Sequence, residues 1–204
     1  MDRKHARHRR SIRLPQYDYT QPGAYSITIC TYGRMPLFGE IADEAVCLNR
    51  FGEMVEECWR EIPDHHHRAE LDVFVVMPNH VHGVLVLGQR APGSRGTACR
   101  APTERFGEPV PGSLPTILRS FKSAATMRVN QLRGTPGGRV WQRGYYERVI
   151  RNERELTAVR RYVLENPLQW ELDPENPMNS NKKGQGRLDG NASDEHRPTP
   201  LEPL

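Results

Sequence analysis

The sequence lacks a long apolar run and has few cysteines, and both features exclude whole classes of protein. None of its apolar stretches approaches the roughly 20 residues that a membrane-spanning helix needs, and the basic start "MDRKHARHRR" is not followed by the apolar segment of a secretory signal. The 4 cysteines include no CxxC pair. They indicate reduced thiols rather than a disulfide or zinc framework, so we expect an intracellular, cytoplasmic protein with no membrane partner.

Charge is unevenly distributed along the chain. The net charge is +4, and hydrophobic residues make up 36% of the 204 residues. Residues 112–172 carry 11 basic and 5 acidic side chains, whereas residues 14–111 carry 8 basic and 13 acidic ones. A basic block of this kind is typical of a solvated surface and also of a face that binds nucleic acid, and charge alone does not separate the two interpretations.

Composition and turn residues divide the chain into regions. We expect a basic arm at residues 1–22, one domain at 23–172 with a mobile loop insertion at 88–112, and a disordered tail at 173–204. Within the domain, the spacing of apolar residues predicts the order β-α-β-β-α-β-α. That order indicates the α+β class, an antiparallel sheet with helices mainly on one face.

Several element boundaries are also predicted. The strands "LDVFVVM" and "HVHGVLVL" are apolar on both faces, so we expect both to be central and covered. A short turn at Pro78-Asn79 joins them. Pro63 should end the first helix, the second helix should run to about Leu132 and the third to about Asn166. The predicted N-caps of the three helices are Asn49, Ser113 and Asn152.

Two histidines open the second of these strands. Residues i and i+2 of a strand point to the same face, so His80 and His82 project side by side. That spacing suits two ligands of one divalent ion, although such pairs also occur as hydrogen-bonded core or edge histidines. Zinc hydrolases add a further His or Asp close behind, and Gly83, Val84 and Leu85 offer none.

Tyr162 and Asn166 form a second candidate group on the last helix. They are four residues apart and therefore share one helix face, on the flank of the apolar stripe. A tyrosine in such a place is commonly a packing residue with its hydroxyl in water. Residue spacing by itself leaves the packing and functional interpretations open.

Four stretches of the chain together resemble a known family. The family is that of the REP-associated tyrosine transposases, which are single-tyrosine HUH (His-hydrophobe-His) transposases of insertion-sequence type. The resemblance covers roughly Ile12 to Asn176 and implies an HUH endonuclease-like sandwich. The stretches that carry it are "FVVMPNHVHGVLVL", "GSLPTILRSFKSA", "VWQRGYYERVIRNEREL" and "YVLENPLQW".

The resemblance also implies roles for individual residues. It makes His80 and His82 ligands of a divalent metal ion, Mg²⁺ or Mn²⁺, with Asn166 as a third metal contact. It makes Tyr162 the nucleophile. Tyr145 and Tyr146 are rival nucleophiles by residue type, but the register of the "Y…NP" motif favours Tyr162.

The implied function is that of a metal-dependent tyrosine DNA nickase and strand transferase. Such an enzyme cleaves single-stranded DNA at hairpin-forming or palindromic repeats and forms a 5′-phosphotyrosine intermediate. Two alternatives stay open: a non-catalytic DNA-hairpin-binding protein descended from a transposase, and an unrelated metal hydrolase that would not need Tyr162. The oligomeric state is open between monomer and homodimer.

A DNA partner would give roles to basic and aromatic residues outside the two motifs. Side chains on one face of the second helix could follow backbone phosphates, and aromatic rings near the last strand could stack on bases. A solvated basic face and ordinary core aromatics are the alternatives. The basic candidates are Arg119, Lys122 and Arg133, and the aromatic candidates are Trp141, Tyr145 and Tyr146.

Overall fold

The computed structural model describes residues 17–89, 110–172 and 176, and these form an α+β domain. The predicted arm, loop insertion and tail lie largely outside these residues. Six strands and four helices make up the described part of the chain. In order they are β1 (Gly23–Cys30), β2 (Gly39–Ala42), β3 (Ala45–Leu48), α1 (Arg50–Arg60), α2 (Ile62–His65), β4 (Ala69–Met77), β5 (His80–Leu87), α3 (Leu114–Arg133), β6 (Tyr146–Ile150) and α4 (Glu153–Glu165).

The main sheet is antiparallel and has the strand order β4-β5-β1-β6. This confirms the predicted fold class. The prediction that both apolar strands are central holds for β5 and is wrong for β4, which lies at an edge. Helices α1, α2 and α4 all pack against β4, which explains why an edge strand carries apolar residues on both faces.

One face of the sheet packs on α1 and α3. The Trp59 ring of α1 lies 6.0 Å from the Phe74 ring of β4 and 5.0 Å from the Phe121 ring of α3, measured between centroids. Gly83 of β5 lies directly beneath Trp59, where an added Cβ would come within 2.5 Å of the indole atom Cζ2. Glycine is therefore required here for space, because the ring packs on the strand backbone.

The predicted N-caps are confirmed. The Asn49 side chain accepts hydrogen bonds from two backbone N–H groups of α1. Ser113 accepts one from Thr116 in α3, and Asn152 accepts one from Glu155 in α4. Each cap satisfies N–H groups that the first helical turn leaves without a partner inside the helix.

The sequence patterns missed two elements. Strands β2 and β3 form a hairpin whose turn residues, Asp43 and Glu44, both have positive φ, 49° and 61°. Such a turn usually contains glycine or asparagine, so its sequence signal is weak. Pro63 follows the end of α1 as predicted, but it lies in the first turn of the short helix α2, a position where its missing N–H costs nothing.

In the part of the chain that the structure describes, no helix is both long enough and apolar enough to span a bilayer.

Candidate active site

The two histidines of β5 lie side by side on the sheet face opposite α1 and α3. Their ring centroids are 4.3 Å apart. Both imidazoles are buried, His80 completely so. Val81 between them points to the other face and joins the hydrophobic core. This is the arrangement that the alternation of a strand predicts.

Asn79 orients the His80 ring. Its side-chain oxygen lies 2.7 Å from His80 Nδ1. Because an amide oxygen can only accept, Nδ1 carries the hydrogen, and the lone pair of the neutral ring is on Nε2. Burial lowers the pKa of His80 to about 4; the neighbouring Asn166 side chain acts in the opposite direction, and the charge of Arg34 adds to the lowering. His80 is therefore neutral at neutral pH, the form that binds metal ions.

Thr28 orients the second ring. Its hydroxyl lies 2.8 Å from His82 Nδ1, and Thr28 is the residue of β1 directly opposite His82 in the sheet. The other ring nitrogen, His82 Nε2, lies 3.5 Å from the Tyr162 hydroxyl. Both histidines thus have Nδ1 held by a neighbouring polar side chain, the arrangement in which a metal-binding histidine would use Nε2.

Helix α4 brings Tyr162 to the histidines. The helix is anchored by the buried side chain of Val163 and by Arg160, whose guanidinium donates to both carboxylate oxygens of Asp72 on β4. That bidentate pairing lowers the pKa of Asp72. Tyr162 itself is 47% exposed, with its ring centroid 5.2 Å from that of His82. The nucleophile candidate is therefore both beside the histidines and accessible from solvent.

Asn166 lies one turn beyond Tyr162 and faces the same pair. Its side chain is buried and lies close enough to His80 to influence the pKa of that ring. A helix-stopping asparagine commonly adopts the left-handed conformation, but Asn166 has φ −57° and ψ −39° and remains helical. The position is the one that a third metal contact requires. The contact itself stays a prediction.

The donor atoms at this position fit a divalent transition ion. Two imidazole nitrogens and an amide oxygen suit Mn²⁺ well, whereas Mg²⁺ prefers oxygen ligands. No group of three or more His, Cys, Asp or Glu side chains that could hold a metal occurs in the described residues. The third donor here would be an amide, which lies outside those residue types.

The predicted phosphate-binding residues of α3 lie away from the histidines. Helix α3 packs on the opposite face of the sheet, where Arg119 is exposed. Arg133 donates to the carbonyl of Arg139 at 3.4 Å. The structure does not bring this group together with Tyr162. A contact with DNA at these side chains stays a prediction.

Lys122 has a structural function in this arrangement. Its amino group donates to the carbonyls of Gln142 and Gly144, at 2.9 and 2.8 Å. Burial lowers the pKa of Lys122 to about 8. Two of its three protons anchor the segment that leads to β6, so the geometry favours anchoring over phosphate binding.

The three predicted base-stacking residues lie in different surroundings. Trp141 is 8% exposed, its ring packs beside Phe38 and Phe121, and its N–H donates to the Lys122 carbonyl. Tyr145 packs partly against the same core. These contacts favour the alternative of ordinary core aromatics for both.

Tyr146 differs from the other two aromatics because it lies on the histidine face. It is 41% exposed and pairs with Thr28, which in turn pairs with His82. Two strand spacings, about 10 Å, separate Tyr146 from His82, whereas the Tyr162 hydroxyl is 3.5 Å from that ring. The geometry favours Tyr162 over Tyr146 as the nucleophile, and it leaves the Tyr146 ring available to a base.

Sequence reasoning missed three residues of this site: Thr28, Asn79 and Arg34. Asn79 was interpreted only as a turn residue, although it directly precedes His80. Thr28 lies in the alternating pattern of β1, but its pairing with His82 depends on the register of two strands far apart in sequence. Arg34 carried no signal, because it lies in a turn of irregular conformation.

The chain has a relative in Haemophilus influenzae. That uncharacterized protein is 36% identical over 171 residues, which cover 81% of this chain and 92% of the relative. No protein-family model matches the chain. The match is long and close enough to show common family membership.

Solved structures show the fold. The structure of a REP-associated tyrosine transposase bound to a REP hairpin aligns with a TM-score of 0.51 and 16% identity, covering 92% of this chain and 99% of that one. A candidate transposase from Deinococcus radiodurans R1 aligns with a TM-score of 0.40 and 18% identity over 76% of this chain and 98% of that one, which is too low to carry an argument. The chain therefore belongs to the same family as the Haemophilus influenzae protein, and it has the fold of the REP-associated tyrosine transposase.

Proposed function

We propose that this protein is a metal-dependent tyrosine DNA nickase and strand transferase of the REP-associated transposase type. One observation carries the proposal: the Tyr162 hydroxyl, His82 Nε2 and the His80–Asn166 pair meet on one face of the sheet, although they come from two distant parts of the chain. Packing alone does not require a partly exposed tyrosine beside two buried imidazoles.

Tyr162 would act as the nucleophile. Its oxygen attacks the phosphorus of a single-stranded DNA phosphodiester, the bond from phosphorus to the 3′-oxygen breaks, and a 5′-phosphotyrosine bond forms. The phenol proton is lost in the attack, and the departing 3′-oxygen gains a proton. A 3′-hydroxyl of a second strand then reverses the step and rejoins DNA without an external energy source.

The histidine pair and Asn166 would hold the divalent ion. When bound there, the ion supplies neutralisation of the negative charge that develops on the phosphate oxygens. Asn79 and Thr28 keep both Nε2 atoms directed at this point, so the ligands are oriented before substrate arrives.

Single-stranded DNA is the substrate class that suits this site best. One tyrosine next to the histidines implies cleavage of one strand at a time. The partly exposed ring of Tyr146, on the same face, offers a base a surface to stack on. The REP hairpin of the structural neighbour supports a hairpin-forming repeat as the target here.

The test is adduct formation with a labelled hairpin oligonucleotide and Mn²⁺. An oligonucleotide labelled at its 3′ end should transfer its label to the protein, because the tyrosine retains the 5′ phosphate of the downstream fragment. The same oligonucleotide labelled at its 5′ end should yield a free, shortened strand with a 3′-hydroxyl. Label transfer from the 5′ end instead would contradict the proposed polarity.

Binding measurements separate the enzyme from the non-catalytic alternative. Tight, salt-sensitive binding to hairpin DNA without any adduct would favour a hairpin-binding protein. The proposal expects preference for single-stranded or hairpin DNA over a blunt duplex. Equal affinity for a random duplex at physiological salt would count against both functions.

A further inference from the structure

A tryptophan that follows α4 lies beside His80. The ring centroids of Trp170 and His80 are 6.1 Å apart, and the two ring planes are inclined by 31°. Trp170 begins a short 3₁₀ turn, Trp170–Leu172. The chain has three tryptophans, of which Trp59 and Trp141 are buried in the core, whereas Trp170 is only half-buried. Trp170 is therefore the tryptophan of this chain that is most open to a ligand.

Hydrogen bonds on both sides hold the backbone of Trp170. Its N–H donates to the Pro167 carbonyl at 3.3 Å. Its carbonyl accepts from the side-chain amide of Asn176 at 2.9 Å, and that asparagine is buried. The indole is thus carried by an ordered turn next to His80. A ring whose position is already fixed loses little conformational freedom when a ligand binds to it, so more of the contact energy is available for binding.

The turn directs its large apolar side chains to different places. Leu168 and Leu172 are exposed to solvent, whereas Trp170, which lies between them in sequence, contacts the surroundings of His80. A partly exposed indole at such a position offers a flat apolar surface beside the candidate active site. Nucleobases stack on surfaces of this kind whatever their sequence, because every base has a π-face.

We propose that Trp170 is a base-stacking residue, whose indole binds the nucleobase adjoining the phosphodiester that Tyr162 attacks. This role rests on the proposed function and deepens it. Short distances connect the two residues: Trp170 lies next to His80, the rings of His80 and His82 are 4.3 Å apart, and His82 Nε2 is 3.5 Å from the Tyr162 hydroxyl. A base held on the indole orients its own phosphate over the two histidines, and thereby places the phosphorus in front of the tyrosine oxygen.

Oligonucleotides that lack single bases test for a stacked base directly. Mapping of the cut with the parent protein gives the scissile position, and a series of single-stranded oligonucleotides then lacks one base at each position around it. Affinity is measured in a Tyr162→Phe background, so that cleavage does not interfere. Trp170→Ala removes the ring, and Trp170→Phe keeps a smaller one. Leu172→Ala is the matched control, because Leu172 is an exposed apolar residue of the same turn.

Loss of the ring and loss of the base should have the same effect. Trp170→Ala should weaken binding of the intact oligonucleotide roughly tenfold, within the range that stacking contributes per base. Removal of the adjoining base should weaken binding by a similar factor when Trp170 is present, and should have no further effect in Trp170→Ala, because the two groups form one contact. Trp170→Phe should lie between, and Leu172→Ala should bind like the protein with Trp170 intact. Tryptophan fluorescence should be quenched by the intact oligonucleotide, and the quenching should be lost in Trp170→Phe.

A merely structural role of Trp170 gives a different result. Trp170→Ala would then lower thermal stability and weaken binding of every oligonucleotide by the same factor, with the sensitivity to the missing base retained, and that outcome overturns the proposal. If Trp170→Ala does not fold, the same comparison is made with Trp170→Phe. Unchanged affinity in Trp170→Ala also overturns the proposal, while leaving the proposed function intact. If the parent protein neither binds single-stranded DNA nor forms an adduct, both proposals fail.

Discussion

The two faces of β5 are equally buried but chemically opposite. On one face, Val81 and Gly83 meet the helices α1 and α3 and contribute to the hydrophobic core. On the other, His80 and His82 meet the end of α4. The same eight-residue strand thus presents core-packing residues on one side and polar rings on the other.

The difference shows what a buried polar face requires. An apolar side chain is stabilised by burial alone, whereas a buried imidazole is costly unless its nitrogens are hydrogen-bonded. Asn79 and Thr28 supply such a bond at Nδ1 of each ring. We therefore expect substitutions on the core face to lower stability and substitutions on the histidine face to lower activity.

Tyr162→Phe should show the difference between the two faces most clearly, because it should lower activity without lowering stability. Only a partly exposed hydroxyl is lost, so the free energy of unfolding should change little. Adduct formation should fall by more than about 1,000-fold, because the proposed nucleophilic oxygen is gone. Denaturing gels of the labelled adduct and thermal unfolding measure the two effects. Tyr146→Phe loses the same group nearby and should still form the adduct; the reverse pattern would overturn the assignment.

Gly83→Ala should lower the stability of the core face without changing the groups at the candidate active site. The new methyl group would lie 2.5 Å from the Trp59 ring, so the core must shift. We expect a loss of about 2 kcal/mol in the free energy of unfolding, roughly thirtyfold in the folding equilibrium constant. Gly88→Ala is the control, since a Cβ there meets only the Arg68 carbonyl at 3.7 Å. Equal unfolding midpoints for both variants in urea would show that the close contact with Trp59 does not determine the stability cost.

Asn166→Ala should raise the Mn²⁺ concentration that half-maximal cleavage needs, by about tenfold, because one of the three proposed ligands is lost. Asn152→Ala is the control on the same helix. It removes the N-cap and should cost about 1 kcal/mol of stability with no change in metal requirement. If Asn166→Ala behaves like the cap variant, its role is to shape the helix end and not to bind metal.

Asp72→Asn should have the smallest effect, and it should depend on pH. The hydrogen bond with Arg160 lowers the pKa of folded Asp72 below the ordinary value of 3.8. The pair therefore stabilises the fold fully above that value, and this stabilisation is lost as pH falls through the folded pKa. Melting temperatures at about pH 7 should be slightly lower in the variant, and the difference should shrink as the pH is lowered below 3.8. A difference that persists in acid would mean that packing, not charge, links α4 to β4.

Local patterns predicted the caps and most helix and strand positions. Asn49, Ser113 and Asn152 start their helices because a side-chain oxygen near free N–H groups is a local interaction that sequence alone reveals. The β2–β3 hairpin was missed for the converse reason. Its strands have four residues each, too few for a clear alternation, and its turn lacks glycine.

Residue type alone did not reveal the structural contacts of Lys122 and Trp141. Both are common in nucleic-acid interfaces, but Lys122 anchors two carbonyls and Trp141 packs in the core. Which function such side chains serve depends on burial. Burial is decided by elements that are distant in sequence, and no local pattern reports it.

The sequence by itself determined which side chains share a face: His80 with His82 on a strand, and Tyr162 with Asn166 on a helix. Strand and helix periods are properties of the local backbone, so spacing suffices. Only the tertiary structure decided that these two pairs meet. Tyr162 is 80 residues from His82, and Thr28 is 54 residues from it. Their contacts follow from the strand register and from the packing of α4 on the sheet. The ion pair Arg160–Asp72 and the buried Val163 hold α4 in place.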